Sequence, residues 1–310
     1  MSSSSSPPPL NFFGLVLSES KRIYLAHSRH FLALALLFLL PVSFIITIYA
    51  TLGHLRTHSQ FLIRHTHAHT HPFPTQALLV PLIYFISIPF LSLCALGSIT
   101  FSVFQGFHGR PVKLIPALNS LLHSFLPLFV TVLASQIIQL VVCFAFGILV
   151  FLVIKGTELL GYKIECSSPY FIAISIVALV CLALVLVYLE VNWVLAGAVV
   201  VAESSWGFQP LKRSSSLVKK KGAARSLLLF YGLLTGMLVW VSSLATEAIR
   251  GATNGWKNGA FVAQTVVTTF LVMLLILQSF VAKSVLYIYC EPIVVDGEAF
   301  ASRECQLAIR

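Results

Sequence analysis

The chain has 310 residues, 58% of them hydrophobic and only 10% charged, with a mean hydropathy of +0.93. A soluble domain carries about 25% charged residues, so this composition cannot cover a soluble surface and excludes an ordinary globular domain. The formal charge is +10, and its placement along the chain carries more information than its size.

Residues 1–9 are Ser-rich and then Pro-rich. They have nothing to bury and read as a disordered tail. From Leu10 to His27, Phe13, Val16, Leu17, Ile23 and Tyr24 share one helical side, with Ser18, Glu19, Lys21 and Arg22 mostly opposite. That pattern predicts an interfacial elbow on the cytoplasmic leaflet. A first span follows near 31–52, with a kink expected at Pro41. Its apolar run is too long for the h-region of a cleaved signal peptide, about 7–15 residues, and no small-residue cleavage site follows it. The chain opens Met-Ser rather than Met-Gly, and its last five residues form no prenylation box.

Six runs lack Asp, Glu, Lys and Arg: His30–Leu55, His65–Gly109, Leu114–Ile154, Cys166–Leu189, Ser226–Thr246 and Asn258–Ala282. Each supplies the roughly 20 apolar residues that cross a hydrocarbon core about 30 Å thick. They are continuously apolar rather than alternating, so helices are expected and not barrel strands. The predicted fold is an all-α polytopic membrane protein with spans near 31–52, 76–104, 126–154, 169–201, 226–248 and 260–290, all within one transmembrane domain over 10–290. Residues 291–310 form a short cytoplasmic tail. With the N-terminus inside, thirteen Lys and Arg lie in inner segments and six in outer loops. That asymmetry places both termini in the cytoplasm, in an endomembrane or the plasma membrane.

The elbow pattern recurs. After Gly109-Arg110-Pro111, Leu114, Ile115, Leu118, Leu121 and Leu122 form an apolar stripe ahead of the third span. After Gly207 and Pro210, Leu211, Ser214 and Val218 repeat at helical spacing against Lys212, Arg213, Ser216 and Lys219. Three units of an inner elbow followed by a helical hairpin are therefore expected. The fourth and sixth spans are long enough that they must tilt, kink or project beyond the hydrocarbon.

Four constellations bear on chemistry. The tract His65-Thr66-His67-Ala68-His69-Thr70-His71, with His54 and His58 upstream, offers imidazoles to a metal. Strict alternation without a carboxylate or cysteine in that loop favours a weakly binding low-complexity tract over a specific site. Glu190 within the fourth span, with Asn192 near it, and Lys283 within the sixth are costly in a bilayer. They read as a Glu satisfied by a neighbouring helix and a snorkelling Lys, the alternative being a small-solute or ion transporter or channel that uses both. The cysteines fall mostly inside spans, and only Cys166 faces outward, so no disulfide framework is expected. Cys290 reads as a small buried hydrophobe. The fourth constellation is the inner loop. Lys212, Arg213, Lys219, Lys220, Lys221 and Arg225 surround Ser214, Ser215 and Ser216 beside Trp206. This predicts an elbow held on anionic headgroups, about 1 kcal/mol per basic residue, with three serines as phosphate acceptors able to weaken it.

The residues Glu203, Gly207, Leu211, Arg213, Ser214, Leu217, Val218, Lys219 and Gly222, with the opening stretch Glu19-Ser20-Lys21-Arg22-Ile23 and Leu40-Pro41-Val42-Ser43-Phe44, resemble a plant family of uncharacterised six-helix membrane proteins. More distantly they are similar to the membrane domain that accompanies some bacterial glycerophosphodiester phosphodiesterases. The resemblance implies a fold and no activity, and the chain has no room for the phosphodiesterase barrel. Lys220 and Lys221 lengthen the basic run relative to the family pattern.

No Walker loop, G-x-S-x-G elbow, H-E-x-x-H, paired-cysteine motif or Asn-x-Ser/Thr acceptor occurs. The expectation is a non-enzymatic membrane-organising or partner-binding protein with no catalytic residue, cofactor or metal. Its expected partner is the lipid bilayer through anionic headgroups, and no nucleic acid is expected.

Overall fold

Continuous apolar sequence satisfies its backbone most simply within itself, as helix. The computed structural model describes residues 9–49, 75–109, 114–159, 169–220, 223–252 and 259–290 and is helical almost throughout them. The helices are α1 (Pro9–Ala26), α2 (Ser28–Tyr49), α3 (Thr75–Phe107), α4 (Leu114–Leu159), α5 (Pro169–Trp193), α6 (Ala196–Glu203), α7 (Phe208–Lys220), α8 (Ala223–Ala252) and α9 (Gly259–Cys290). Among the described residues six helical segments are long and apolar enough to cross a membrane: Ser28–Tyr49, Ile86–Phe107, Ser124–Thr157, Ala173–Glu203, Arg225–Ala245 and Gly259–Cys290. The stripe at Leu114–Leu122, expected as a separate elbow, forms the first turns of α4, which runs 46 residues without a break. Pro127 lies inside the helix five residues after the stripe, yet the helix continues through it. The His65–His71 tract, Cys166, Lys221 and the residues beyond Cys290 lie outside the described residues.

The chain divides into two compact units, one of Met1–Leu121 with Lys221–Arg310 and one of Leu122–Lys220. In the first unit, α9 packs on α1, α2, α3 and α8. Its buried face, which includes Met273, Leu277 and Leu286, joins Phe31, Leu34 and Leu39 of α2 and Ile99 and Val103 of α3 in the core. Polar side chains cross between these helices. His30 Nε2 lies 2.9 Å from Ser102 Oγ, Ser284 Oγ donates to Thr100 Oγ1 at 3.2 Å, and Ser242 and Thr268 share a 2.8 Å bond. Small hydroxyls let helices approach closely and bond across the interface. Buried Ser98 and Ser102 also donate to the carbonyls of Cys94 and Ser98 one turn back.

The elbow α1 buries Val16, Ser20 and Ile23 and exposes Ser18, Lys21 and Arg22. Its inner side meets α9, α8 and α3, so protein as well as any lipid holds it in place. The chain turns at His27 into α2, and Gly106 of α3 sits beneath that corner. A Cβ there would come within 3.4 Å of both Ile23 and His27, so the absence of a side chain permits this approach.

Pro41 acts one turn earlier than its own position. It cannot donate a backbone bond, and its ring crowds the carbonyl four residues back. The residues ahead of it, Ala35–Leu39, form a π-helical turn closed by the Leu40 amide donating to the Ala35 carbonyl. The wider turn reorganises the ladder just before proline interrupts it.

In the second unit, the long fourth span, for which a tilt, kink or projection is expected, is broken within Ala173–Glu203. A turn at Val194–Leu195 separates α5 from α6, and α7 packs against both.

Candidate functional site

The basic elbow, α7, is described from its start through Lys220. It starts from a left-handed pair: Ser204, at φ 50°, ends α6, and Gly207, at φ 74°, turns the chain into α7. At Gly207 glycine avoids the strain that a Cβ brings to this conformation. Its amide donates to Thr131 Oγ1 of α4 at 3.2 Å. Pro210 falls in the first turn of α7, where its missing N–H costs nothing.

From there the periodicity decides which side faces inward. Pro210, Leu211, Ser214, Leu217 and Val218 are buried, while Lys212, Arg213, Ser216 and Lys219 are exposed. The spacing i, i+1, i+4, i+7, i+8 is one face of an amphipathic helix. Leu211 packs with Ala134 and Ala196, flanked by Ile138 and Trp193.

Ser214 is fully buried and accepts the Leu195 amide at 3.2 Å while donating to the Asn192 carbonyl at 2.7 Å. One of those backbone groups belongs to the last turn of α5 and the other to the turn between α5 and α6. One hydroxyl thus replaces helical bonds that the turn removes, as buried backbone groups require. This corrects the expectation of three phosphate acceptors, because Ser214 is committed to the backbone and closed to solvent. Ser215 is half-buried, and Ser216 is exposed, donating to the Arg213 carbonyl at 2.7 Å.

The cations also separate. Lys212 and Lys219 project on the exposed face, with Trp206 and Phe208 exposed at the start of the helix. Arg213 reaches Glu203 at 3.4 Å, both side chains partly in the open, a pair that contributes little net stability. Lys220 closes α7, Lys221 lies outside the described residues, and Arg225 is exposed on α8 in the other unit. An exposed cationic face behind a packed apolar stripe can bind anionic headgroups or phosphates by charge.

The intramembrane candidates resolve separately. Glu190 Oε1 accepts from Gln139 Nε2 of α4 at 2.6 Å, so a polar residue one helix away satisfies it. Asn192 donates to the Tyr188 carbonyl on its own helix at 2.8 Å. Lys283 belongs to the other unit and stands 5.6 Å from the Phe280 ring centroid, within cation–π range. Cys290 is buried and forms no disulfide among the described residues, in keeping with a small hydrophobe. Among the described residues no three His, Cys, Asp or Glu converge on a metal position. Two features escaped the sequence reading: the helix turn at Val194–Leu195 and the role of Ser214. Their one advance signal was a polar residue at a core position of α7.

A family model described as a domain of unknown function, DUF8558, matches residues 8–294. No curated protein and no solved structure matches the chain.

Proposed function

We propose, from the premise that the chain belongs to the DUF8558 family, that it is a non-enzymatic multi-pass membrane protein whose α7 elbow organises anionic lipid at the cytoplasmic leaflet. The observation that carries this reading is the sidedness of α7. Its inner face is fixed by Leu211, Ser214 and Val218, leaving Lys212 and Lys219 on the outer face beside Trp206. Basic residues near an anionic surface contribute about 1 kcal/mol each, and an aromatic ring at the same level suits the interface. The thirteen-to-six distribution of Lys and Arg supports inner termini. The Gln139–Glu190 bond supports a structural role for Glu190 over a transport pathway.

The test uses the full chain in vesicles, with a donor fluorophore at Ser216 and acceptors on phosphatidylserine or phosphatidylcholine headgroups. Transfer to phosphatidylserine should exceed transfer to phosphatidylcholine at low salt and converge on it as salt rises. Lys212→Gln with Lys219→Gln should abolish the difference, a change of about 2 kcal/mol before screening. Arg213 is left in place because of its Glu203 partner. Equal transfer to both lipids in the unaltered protein would remove the proposal.

Orientation has its own check. Epitope tags at both termini should be digested together when protease is added to the cytoplasmic side of sealed microsomes. One tag protected and one digested would mean an odd number of spans.

A further inference from the structure

Away from α7, in the first unit, α1, α8 and α9 enclose an open cleft of about 400 Å³, within the range of small-molecule sites. Besides Ser20, whose hydroxyl donates to the Val16 carbonyl at 2.6 Å, four polar residues line it: Lys21, Tyr24, Tyr231 and Gln278. None of the four has a hydrogen-bond or ion-pair partner among the described residues. The Tyr231 ring is buried while its hydroxyl keeps some open surface, so it is available to a ligand in the cleft. Neighbouring Arg22 is already engaged by Glu19 at 2.7 Å, so Lys21 remains the uncompensated cation at this cleft. Leu17, Leu25, Phe230 and Leu234 supply the walls, and the last three are exposed.

An apolar trough with one cation and several donors matches a lipid whose headgroup is an anion and whose body is hydrocarbon. Position along the helices agrees. Phe230 lies seven residues after the start of α8 and Gln278 twelve before the end of α9, about 10 Å and 18 Å at the helical rise. The first falls within one leaflet, about half of a 30 Å core, and the second reaches about its midplane. We infer that the cleft between α1, α8 and α9 takes one acyl chain of an anionic phospholipid, whose phosphate pairs with Lys21. Tyr24 donates to the same headgroup at the mouth, Tyr231 offers its hydroxyl to the glycerol-ester region below it, and Gln278 lies deeper, alongside the acyl chain. The inference rests on the membrane placement proposed above but not on α7.

The test reconstitutes the full chain in vesicles with phosphatidylserine or phosphatidylcholine carrying a diazirine on the acyl chain. After photolysis, labelled peptides are mapped. Phosphatidylserine should label peptides containing Leu17–Leu25 and Phe230–Leu234 about fivefold more than phosphatidylcholine, the factor one basic residue contributes near an anionic surface. Lys21→Gln should bring the two lipids level. Leu234→Trp, which fills the trough at an exposed position, should remove the label from both peptides. Equal labelling in the unaltered protein, label confined to other peptides, or indifference to Lys21→Gln would each overturn the inference. So would competition by millimolar inorganic phosphate, which would make this a soluble-anion site. Headgroup transfer at α7, measured on the same preparation, separates the two proposals. A lost cleft label with transfer intact overturns only this one, and the reverse overturns only the other.

Discussion

Phe31→Ala should lower the stability of the first unit by about 3–5 kcal/mol, the range for truncating a fully buried aromatic. Phe31 has no exposed surface. It stands at the first turn of α2, where its amide caps the corner by donating to the His27 carbonyl at 3.1 Å. Its ring lies 6.3 Å from Tyr24 of α1 and 5.8 Å from His30. Removing it opens a cavity beside the corner that holds α1 against α9 and α3, so the elbow loses its seat as well as its contacts. Phe44→Ala on the same helix is the control, since that ring is 47% exposed and its loss should cost less than about 0.5 kcal/mol. Unfolding midpoints in bicelles titrated with SDS compare the two. Equal midpoints would mean that α2 does not present this face to the core.

The second large effect is expected at Ser214→Ala. The hydroxyl accepts from the Leu195 amide and donates to the Asn192 carbonyl. Its removal leaves two buried backbone groups unpaired, at about 1–3 kcal/mol for each. The loss is local to the turn between α5 and α6, so hydrogen exchange at the Leu195 amide should accelerate while amides in the middle of α5 keep their protection. Ser216→Ala, two residues on and facing outward, removes only a bond to the Arg213 carbonyl and should leave both readouts unchanged. A Leu195 amide that stays protected in Ser214→Ala would show that another group closes the turn.

These two side chains mark how far the sequence could be read. Class and helix number were legible because they depend on run length: six stretches without Asp, Glu, Lys or Arg and six long apolar helices express one quantity. The sidedness of α7 was legible for a related reason. Leu211, Ser214 and Val218 against Lys212, Arg213 and Lys219 is a local period of 3.6, and the burial pattern follows it.

Tertiary structure decided what depends on residues far apart in the chain. Nothing in Asn192–Ala196 announces a turn, which is stable because Ser214, 19 and 22 positions away from its partners, supplies the missing bonds. Ser214 itself belongs to a Ser-rich basic stretch that locally resembles a modification site, and only the packing of α7 against α5 and α6 buries it. Glu190 was recognisable as a costly group, but its partner Gln139 lies 51 positions away, and composition carries no trace of such pairings. The cleft lined by Lys21, Tyr231 and Gln278 has the same origin, since α1 meets the consecutive helices α8 and α9 there from the far end of the chain. Run length and periodicity are one-dimensional and survive in the sequence, whereas the partner of a buried polar group is set by which helices pack together.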